Sequence, residues 1–355
     1  MSDSDLIVLG GGPAGAAVAL LAARAGMAVA VLSRAGGRGR LLDTLAPETL
    51  WRLQGLSVPL ASLPHVVSPG IAVRWESDTD TGIDAITTGA GEAWHVDRSG
   101  LDAALRSAAV AAGAVVVAVG RVTAVSRADD RWRVKSDVGT HRAAVLVDAT
   151  GRRAWLRRRL GVPTLPGDVT VAVSGLTGLA ATGDRRLAVE AVQDGWWSYT
   201  PRPGGGAVAA WMTDADRLPR DAAALRAAWV RSLRRASSVW ERFGDDPPEH
   251  LYTAAAGHTV AAAVAGEGWR CVGDAALAPD PLSGSGLLLA LDGATACLAS
   301  LVPDEPAPYE DWFRAEAERY AARRHLYYAR VRRWPNEPFW QRRQTSTASG
   351  GETDG

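Results

Sequence analysis

Residues 5–32 read DLIVLGGGPAGAAVALLAARAGMAVAVL. An apolar run leads into GGGPAG, and an alanine-rich stretch then leads into a second apolar run, a pattern typical of strand, turn, helix and strand. Gly10 permits the tight turn, Gly12 lets the backbone approach a pyrophosphate, and Gly15 lets the helix pack closely on the strand. Phosphate charge is favoured at the helix start, where unpaired N–H groups and the positive end of the helix dipole lie. The stretch therefore predicts a dinucleotide-binding unit.

The position after the second predicted strand departs from the usual pattern. Units of this kind carry an acidic residue about 20 residues after the glycines, which binds the ribose hydroxyls. Ser33 stands there instead, and Arg34 follows it. A serine makes one hydrogen bond where a carboxylate accepts two, so we expect the adenosine end to be bound more loosely. Arg34 could instead pair with a 2′-phosphate, which at this point leaves both FAD and NADP open.

Length and composition exclude several classes of protein. The 355 residues suffice for two domains or one large one, and 39 basic residues balance 39 acidic residues, so no overall charge favours nucleic acid or an acidic membrane. The acidic start lacks the positive region of a signal peptide, and charges interrupt the longest apolar runs. Two cysteines are too few for a disulfide scaffold, and no two of the six histidines have metal-ligand spacing. We expect a cytoplasmic protein with no membrane partner, no nucleic-acid partner and no metal site.

Two later stretches repeat the pattern of a strand that ends in glycine and aspartate. Residues 145–147 precede DATGRR, which contains Asp148 and Gly151, and residues 269–272 precede GDAALAPDPLSGSG, which contains Asp274. Ligands of open α/β sheets bind at the carboxyl ends of strands, so we expect these stretches to meet the first glycines at one edge. Singly, each aspartate could be a turn residue or a helix cap. Together the three motifs indicate one nucleotide site.

In this order, the three motifs resemble those of FAD-dependent monooxygenases of the para-hydroxybenzoate hydroxylase type, and within them the flavin-dependent halogenase-like branch. The resemblance spans about residues 6–343. It implies that FAD is the cofactor, that Asp274 binds the ribityl chain, and that the helix entered through Pro281 points its N-terminus at the isoalloxazine ring. Positive charge at that helix end would stabilise reduced flavin. The residues assigned to FAD are Gly10, Gly12, Pro13, Ala14, Gly15, Ser33, Arg34, Arg40, Arg98, Asp148, Gly151, Gly273, Asp274, Ser283, Gly284, Ser285 and Gly286.

The implied fold class is α/β, with a Rossmann-like FAD-binding domain, a mainly antiparallel β-sheet substrate domain and C-terminal helices. The expected boundaries are 1–65, 95–165 and 265–305 for the FAD-binding domain, 66–94 and 166–264 for the substrate domain, and 306–343 for a C-terminal helical segment. The composition of 344–355 predicts a disordered tail. The predicted helices are 101–112, capped by Ser99, then 221–235, 287–301 and 309–333.

The chemistry within this branch depends on one residue type. A halogenase of the branch adds a lysine that carries or orients hypohalous acid, and a Trp-x-Trp-x-Ile-Pro segment. The corresponding residues 196–201 read WWSYTP, and the only lysine, Lys135, lies in a predicted meander, so halogenation is disfavoured. Hydroxylation requires less of the protein: reduced flavin and O₂ form a C4a-hydroperoxide, while the protein excludes water and holds an electron-rich ring.

The phrases GWWSYTPRPGG, VAAWMTDAD and RRWPNEPFWQRR look most like LodB-type flavoproteins, which are associated with oxidising a tryptophan or tyrosine in a protein or peptide during quinone-cofactor maturation. The resemblance implies an aromatic hydroxylase acting on a peptide- or protein-borne indole or phenol, with a free small aromatic metabolite as the alternative. An ene-reductase of the geranylgeranyl reductase type and a redox-silent docking protein are the alternatives from other classes. The candidate pocket residues are Trp196, Trp197, Tyr199, Trp211 and Pro281, although each tryptophan could equally pack the sheet.

Two further features concern partners. Arginine clusters at 152–159 and 323–343 could dock a peptide, or could be solvated helix faces. There is no second dinucleotide motif after Ser33, so we expect a separate flavin reductase to supply reduced FAD, with direct reduction by NAD(P)H as the alternative.

Overall fold

The structure is a computed structural model that describes residues 2–34, 42–84, 91–301 and 305–344. Arg40 and the predicted tail from 345 on lie outside these residues. The chain divides into two compact units. Unit 1 comprises Met1–Pro64, Val96–Gly167 and His258–Tyr320, and unit 2 comprises His65–His95, Asp168–Gly257 and Ala321–Gly355.

The elements are numbered here in chain order. The strands are β1 Ser2–Leu9, β2 Val29–Arg34, β3 Leu42–Leu45, β4 His65–Ser68, β5 Gly70–Arg74, β6 Ile83–Asp84, β7 Ala93–Asp97, β8 Val115–Val119, β9 Val122–Ala128, β10 Arg131–Ser136, β11 Gly139–Asp148, β12 Thr164–Leu165, β13 Thr170–Thr177, β14 Leu187–Val192, β15 Gly195–Pro201, β16 Ala207–Asp214, β17 Leu251–Ala255, β18 Thr259–Ala261, β19 Ala265–Gly266, β20 Trp269–Cys271 and β21 Leu277–Ala278. The helices are α1 Pro13–Arg24, α2 Pro47–Gly55, α3 Arg98–Ala111, α4 Trp155–Arg159, α5 Ala222–Leu233, α6 Ser237–Phe243, α7 Gly286–Ala299, α8 Pro306–Ala329 and α9 Pro338–Gln344.

Unit 1 contains a sheet in the order β19-β20-β11-β1-β2-β8, and β10 and β9 extend it from β11 as the predicted meander. The strands from β20 to β8 run parallel, and β1 is apolar and buried along 6–9, as a strand inside a parallel sheet should be. Leu9 lies opposite both Leu32 and Asp148, and Asp148 lies opposite Cys271. The carboxyl ends of four strands are therefore level with one another.

Unit 2 contains a seven-stranded sheet in the order β17-β13-β16-β15-β14-β5-β6. Its neighbouring strands are antiparallel except β14 and β5. Helices α5 and α6 cover one face and bury Trp229, Leu233 and Phe243 against it. The expected fold class, a parallel nucleotide-type sheet with a mainly antiparallel second sheet, is confirmed.

Several predicted boundaries were wrong. Helix α3 begins at Arg98 because Asp97, in extended conformation, caps it by accepting a hydrogen bond from the Ser99 N–H group, so Ser99 is not the cap. The helix predicted at 221–235 ends at Leu233, and the separate helix α6 follows. The helix predicted to run to Arg333 ends at Ala329.

The predicted C-terminal segment, 306–343, is not a compact unit of its own. Helix α8 is continuous through Tyr320, where unit 1 ends and unit 2 resumes. Residues 258–264, expected in the substrate domain, belong to unit 1 because β18 pairs there with β12 and β21. Among the described helices, none has both the length and the apolar composition needed to cross a membrane.

Candidate functional site

The glycine turn after β1 is made of positions where a side chain cannot fit. Gly10 has φ +108°, and a Cβ atom there would lie 2.3 Å from the carbonyl oxygen of Ala149. A Cβ atom on Gly15 would lie 2.0 Å from the Gly10 oxygen. Gly12 differs, because a Cβ atom there would meet nothing within 4 Å. The first two glycines thus serve the turn and the packing of α1, while Gly12 faces open space.

The start of α1 can bind an anion. Gly12 is its N-cap, Pro13 occupies the first turn, no side chain caps the helix, and the first turn holds no acidic residue. The first N–H groups of an α-helix have no partner inside the helix, so those of Ala14 and Gly15 are available to a ligand. Free donors beside an open space fit the pyrophosphate of a dinucleotide.

A basic residue that the sequence did not single out lies beside the glycine turn. The side chain of Ser33 lies close to Gly11, whose Cβ atom would be 2.6 Å from the serine oxygen. Arg106, from α3, donates to the Gly11 carbonyl oxygen at 3.2 Å. Arg34 is exposed. The cation next to the glycine turn is therefore Arg106, which the helical spacing from Arg98, about two turns, could have indicated.

Arg98, predicted to bind the cofactor, is held by two carboxylates. Its guanidinium pairs with Asp43 and, at 2.7 Å, with Asp102, and its side chain is largely buried. Burial opposes its charge, but the two carboxylates more than compensate and raise the pKa of Arg98 above its usual value. These contacts tie α3 to β3, and a direct contact with the cofactor stays a prediction.

Asp148 is a buried residue whose hydrogen bonds hold the backbone of the second motif in place. The residue is fully buried, and its carboxylate accepts hydrogen bonds from the Thr150 N–H and hydroxyl groups and, at 2.9 Å each, from the N–H groups of Leu156 and Arg157. Such a carboxylate is not presented to a ligand, which corrects the prediction that Asp148 contacts the cofactor. It instead positions the turn at Gly151, where a Cβ atom would meet nothing within 4 Å.

The third motif lies beside the first. A Cβ atom on Gly273 would be 2.7 Å from the Cβ atom of Ala14, in the first turn of α1. Asp274 lies 3.8 Å from the Nε atom of Arg152, whose Nη2 atom donates to the Pro279 oxygen at 3.1 Å. Arg152 thus links the second motif to the third. The expectation that the three motifs meet at one edge of the sheet is confirmed.

The loop before α7 is held rigidly and leaves the helix start open. Asp280 is buried, its carboxylate accepts from the Leu282 N–H group at 2.9 Å, and its own N–H group donates to the Tyr320 hydroxyl at 2.8 Å. The hydroxyl groups of Ser283 and Ser285 are 2.8 Å apart. No side chain caps α7 and its first turn holds no acidic residue, so 14 residues of helix direct a positive end at this loop.

A model of the FAD binding domain family matches residues 3–303. The chain belongs to this family. It is 27% identical to LodB of Marinomonas mediterranea, a protein named as an FAD-dependent oxidoreductase, over 98% of this chain and 99% of the relative. The solved structure of the peptidyl tryptophan dihydroxylase QhpG matches with a TM-score of 0.81 and 26% identity, over 98% of this chain and 80% of that chain. The flavin-dependent halogenase CmlS matches in fold with a TM-score of 0.84 and 21% identity, over 98% of this chain and 68% of that chain.

This member of the FAD binding domain family is an FAD-dependent oxidoreductase of the flavin monooxygenase class, in its halogenase-like branch. FAD is its cofactor, and the open space at Gly12 with the uncapped starts of α1 and α7 fits that dinucleotide. Within the described part of the chain, no three His, Cys, Asp or Glu side chains form a group that could hold a metal ion.

Three of the aromatic pocket candidates lie in the core of unit 2. Trp197 and Tyr199 are fully buried toward α5 and α6, and Trp197 stacks on Trp211 with ring centroids 6.0 Å apart. The Trp197 indole donates to the Ser232 hydroxyl at 3.1 Å and meets the edge of the Trp229 ring. The prediction that these three side chains line a substrate pocket was wrong, because strand alternation turns them to the helix-covered face.

The opposite face of the same sheet carries small side chains. Ser198 lies opposite Ala210 and Val189 on its two neighbouring strands, and Ala210 lies opposite Ser174. All four are partly exposed. We call Ser174, Ser198, Ala210 and Val189 the small-residue face. The sequence contained the signal, since Ser198 alternates with buried Trp197.

Trp196 points to the same side as Ser198 but is not open to a ligand. It is 2% exposed, its indole donates to the Tyr328 hydroxyl at 3.1 Å, and it meets the edge of the Trp75 ring. Pro281, the remaining candidate, is an exposed residue of the loop before α7. The role of Pro281 at the substrate stays a prediction.

The arginine clusters are mostly engaged inside each unit. In unit 2, Arg343 is buried and pairs with Asp214 at 2.6 Å, and Arg324 pairs with Asp168. In unit 1, Arg157 is buried, and its Nε atom donates to a backbone oxygen at 3.1 Å. These cations stabilise loops and strands, so the hypothesis that the two clusters form docking surfaces was wrong for these residues.

Proposed function

We propose that this protein is a monooxygenase that inserts one oxygen atom of O₂ into an aromatic ring, with a tryptophan or tyrosine side chain of a peptide or protein as its substrate. Likeness to a peptidyl tryptophan dihydroxylase over 98% of the chain supports the substrate class, and the full-length match to LodB supports an FAD-dependent oxidoreductase. Reduced FAD supplies two electrons, so that one oxygen atom enters the ring, the other leaves as water, and the flavin ends oxidised.

The chain's own residues bind and orient the cofactor. The Ala14 and Gly15 N–H groups at the start of α1 would hold the pyrophosphate, and the Asp274 carboxylate would accept hydrogen bonds from the ribityl hydroxyls. The uncapped start of α7 would stabilise negative charge on the pyrimidine side of reduced flavin. No protein nucleophile is needed for this reaction.

The observation that carries the proposal is the small-residue face of unit 2. Ser174, Ser198 and Ala210 carry short side chains and are partly exposed on this face, whereas Trp197 and Trp211 of the same sheet are buried on the other side. The two serine hydroxyls can accept a hydrogen bond from an indole N–H or a phenol O–H group. A pocket for an aromatic side chain combines space for the ring with a few polar groups that orient it.

The position of Lys135 argues against halogenation. It is the only lysine of the sequence, and it lies exposed on β10, between Ala124 of β9 and Thr140 of β11. This meander belongs to unit 1, on the far side of β11 from β1. We call the edge of the unit 1 sheet where the three motifs meet the cofactor edge. The amine that would carry or orient hypohalous acid is therefore missing from the cofactor edge.

We also propose that a separate flavin reductase supplies reduced FAD. The chain has one dinucleotide motif, and the ribose position is Ser33 rather than a carboxylate, so exchange of the cofactor is favoured. Rapid reduction of the FAD-loaded protein by NADPH, measured by stopped-flow absorbance without a second protein, would contradict this proposal.

The test of the main proposal uses ¹⁸O₂. Protein loaded with dithionite-reduced FAD is mixed with ¹⁸O₂ and a short peptide that contains one tryptophan, in the presence of bromide. We expect the peptide to gain ¹⁸O by mass spectrometry. Incorporation of bromine would overturn the proposal in favour of halogenation, and flavin reoxidation without any change in a panel of tryptophan and tyrosine peptides would overturn the peptide substrate.

Ser198 offers a matched pair of variants for the same assay. Ser198→Leu fills the small-residue face and should raise the peptide KM about tenfold or more, whereas Ser198→Ala should stay within about threefold. Equal KM values for both variants would mean that the ring does not bind on this face.

A further inference from the structure

Strand β17 is an exposed edge of the unit 2 sheet. It lies at the end of the strand order, and within the described residues it pairs only with β13. Its sequence is LYTAA, and the four residues 252–255 are exposed, with Tyr252 at 51%. Proteins commonly protect such edges with charges, proline or a covering segment. This edge has neither charge nor proline, so its backbone groups are available to another strand.

The register shows which backbone groups face outward. The Ala256 N–H group donates to the Thr170 oxygen at 2.9 Å, so the backbone groups of Ala256 face the β13 side. In an antiparallel pair, such residues alternate with residues whose N–H and C=O groups point away from the partner strand. Along β17, the outward groups therefore belong to Leu251, Thr253 and Ala255.

The same register fixes which side chains share a face. Tyr252 lies opposite Ser174, and Ala254 lies opposite Ala172. Tyr252 is thus in one row with Ser174, Ala210 and Ser198, on the small-residue face. A strand added to β17 would place every second side chain on the Tyr252 side of the sheet, about 10 Å from Ser174, because strand side chains alternate and neighbouring strands lie about 4.8 Å apart.

We propose that β17 is the docking edge for an extended segment of the substrate peptide, which adds as a further strand and anchors the peptide, so that an aromatic residue outside the paired segment can reach the small-residue face. The inference rests on the proposed function, since it names how a peptide-borne ring reaches that face. Backbone hydrogen bonds to Leu251, Thr253 and Ala255 would supply affinity, as in other strand-addition complexes.

Charge indicates the kind of peptide. Three exposed carboxylates, Asp245, Asp246 and Glu249, precede β17 in the chain. They favour a peptide with lysine or arginine beside the segment that pairs.

The experiment measures binding of a fluorescein-labelled peptide, with one tryptophan and flanking lysines, to the FAD-loaded protein by anisotropy. Thr253→Pro removes the central outward N–H group without removing a bond to β13. Thr253→Val is the matched control, since it keeps the N–H group and the shape. We expect Kd to rise about tenfold in Thr253→Pro and to change less than twofold in Thr253→Val. Replacing the flanking lysines with glutamates should also weaken binding.

A second measurement uses the unaltered protein, so that it does not depend on the folding of a variant. Peptides N-methylated at one amide after another should include positions that lose about tenfold in affinity, alternating with positions that do not. Uniform affinity along that series, or an unchanged Kd in a folded Thr253→Pro variant, would overturn the docking edge.

The outcomes separate this inference from the proposed function. Hydroxylation of a peptide whose binding ignores Thr253 overturns the docking edge alone. Thr253-dependent binding without hydroxylation supports the docking edge and overturns the function. A dimer in sedimentation that Thr253→Pro dissociates, with peptide affinity unchanged, assigns β17 to a second copy and overturns the inference.

Discussion

The cofactor edge of unit 1 and the sheet of unit 2 differ in the groups that form them, since backbone groups form the first and side chains form the faces of the second. At the cofactor edge, the groups proposed to bind the pyrophosphate are backbone N–H groups, and Gly10 and Gly15 stand where a Cβ atom would lie 2.3 Å or less from a carbonyl oxygen. In unit 2, Trp197 of the sheet and Trp229 of α5 pack together on one face of the sheet, while Ser174, Ser198 and Ala210 lie partly exposed on the other. In a site made of backbone groups, the space around each position limits which residue type can stand there. In a site on a sheet, the face to which each side chain points decides whether it can contact a ligand.

The largest effect should come from the buried face of unit 2. Trp197→Ala leaves a cavity beside Trp211 and Trp229 and should lower the free energy of unfolding by about 3–5 kcal/mol, measured by chemical denaturation. Ser198→Ala, the next residue on the other face, should change it by less than about 0.5 kcal/mol. A stable Trp197→Ala protein that loses only turnover would restore the idea that Trp197 lines the pocket.

The next effect tests the glycine turn. Gly10→Ala places a methyl group against the Ala149 oxygen at a positive φ and should lower the free energy of unfolding by about 3 kcal/mol. Thermal unfolding of the flavin-free protein measures this without reference to the cofactor. Unchanged stability in Gly10→Ala would show that the turn is not limited by space.

The two regions should also differ in their response to pH, because backbone N–H groups do not titrate. In unit 2, burial lowers the pKa of His95 to about 4, although a hydrogen bond to the Arg185 oxygen opposes the shift. The unfolded chain, with a histidine pKa near 6.5, takes up the proton first as pH falls. His95 therefore contributes stability that is present above pH 6.5 and is lost between pH 6.5 and pH 4.

The matched variant for this effect is His95→Gln, which keeps a donor for the Arg185 oxygen. Between pH 7 and pH 4, the wild-type protein should lose up to about 3 kcal/mol more unfolding free energy than the variant. Urea titrations at a series of pH values measure the difference. Parallel curves for the two proteins would exclude a neutral buried His95 as the cause.

The smallest expected change in stability comes from Gly12, and it tests most directly whether a glycine serves the fold or the cofactor. Gly12→Ala adds a methyl group that meets nothing within 4 Å in the protein, so stability should change by less than about 1 kcal/mol. The methyl group would occupy the space for the pyrophosphate, and the FAD Kd should rise about tenfold, measured by equilibrium dialysis. Stability falling as far as in Gly10→Ala would mean that both glycines serve the fold.

Much of the cofactor edge could be predicted from sequence because the requirement is local. Three glycine-containing strand ends, read in order, indicated the sheet, the cofactor and the meeting of the motifs. The role of each residue in these motifs could not be predicted. Asp148 has the residue type of a ligand, but its carboxylate points into the protein, where it accepts hydrogen bonds from the N–H groups of Leu156 and Arg157. Arg106 carries no motif, its spacing of about two helical turns from Arg98 was the only signal in the sequence, and the packing of α3 brings it to Gly11.

In unit 2, composition predicted the wrong pocket. The tryptophans were assigned to a substrate pocket because tryptophan is common both in aromatic pockets and in protein cores. The sequence does not show which face of a sheet is covered. The register of β15 with β14 and β16, together with α5 and α6, decides that Trp197 is core and Ser198 is not. The arginine-rich C-terminal segment was misread similarly, since Arg343 pairs with the buried Asp214 and Arg324 with the partly exposed Asp168, each more than a hundred residues away.

The sequence alone determined the nucleotide-type α/β unit, the family, the flavin and the shortage of lysine. These follow from residues that are close in the chain, where a glycine turn or a missing amine has the same meaning in any surroundings. The tertiary structure decided which aspartate faces a ligand, which face of the second sheet is open and which strand edge is free. Those properties depend on what packs against a residue from distant parts of the chain, and short-range sequence patterns carry little information about it.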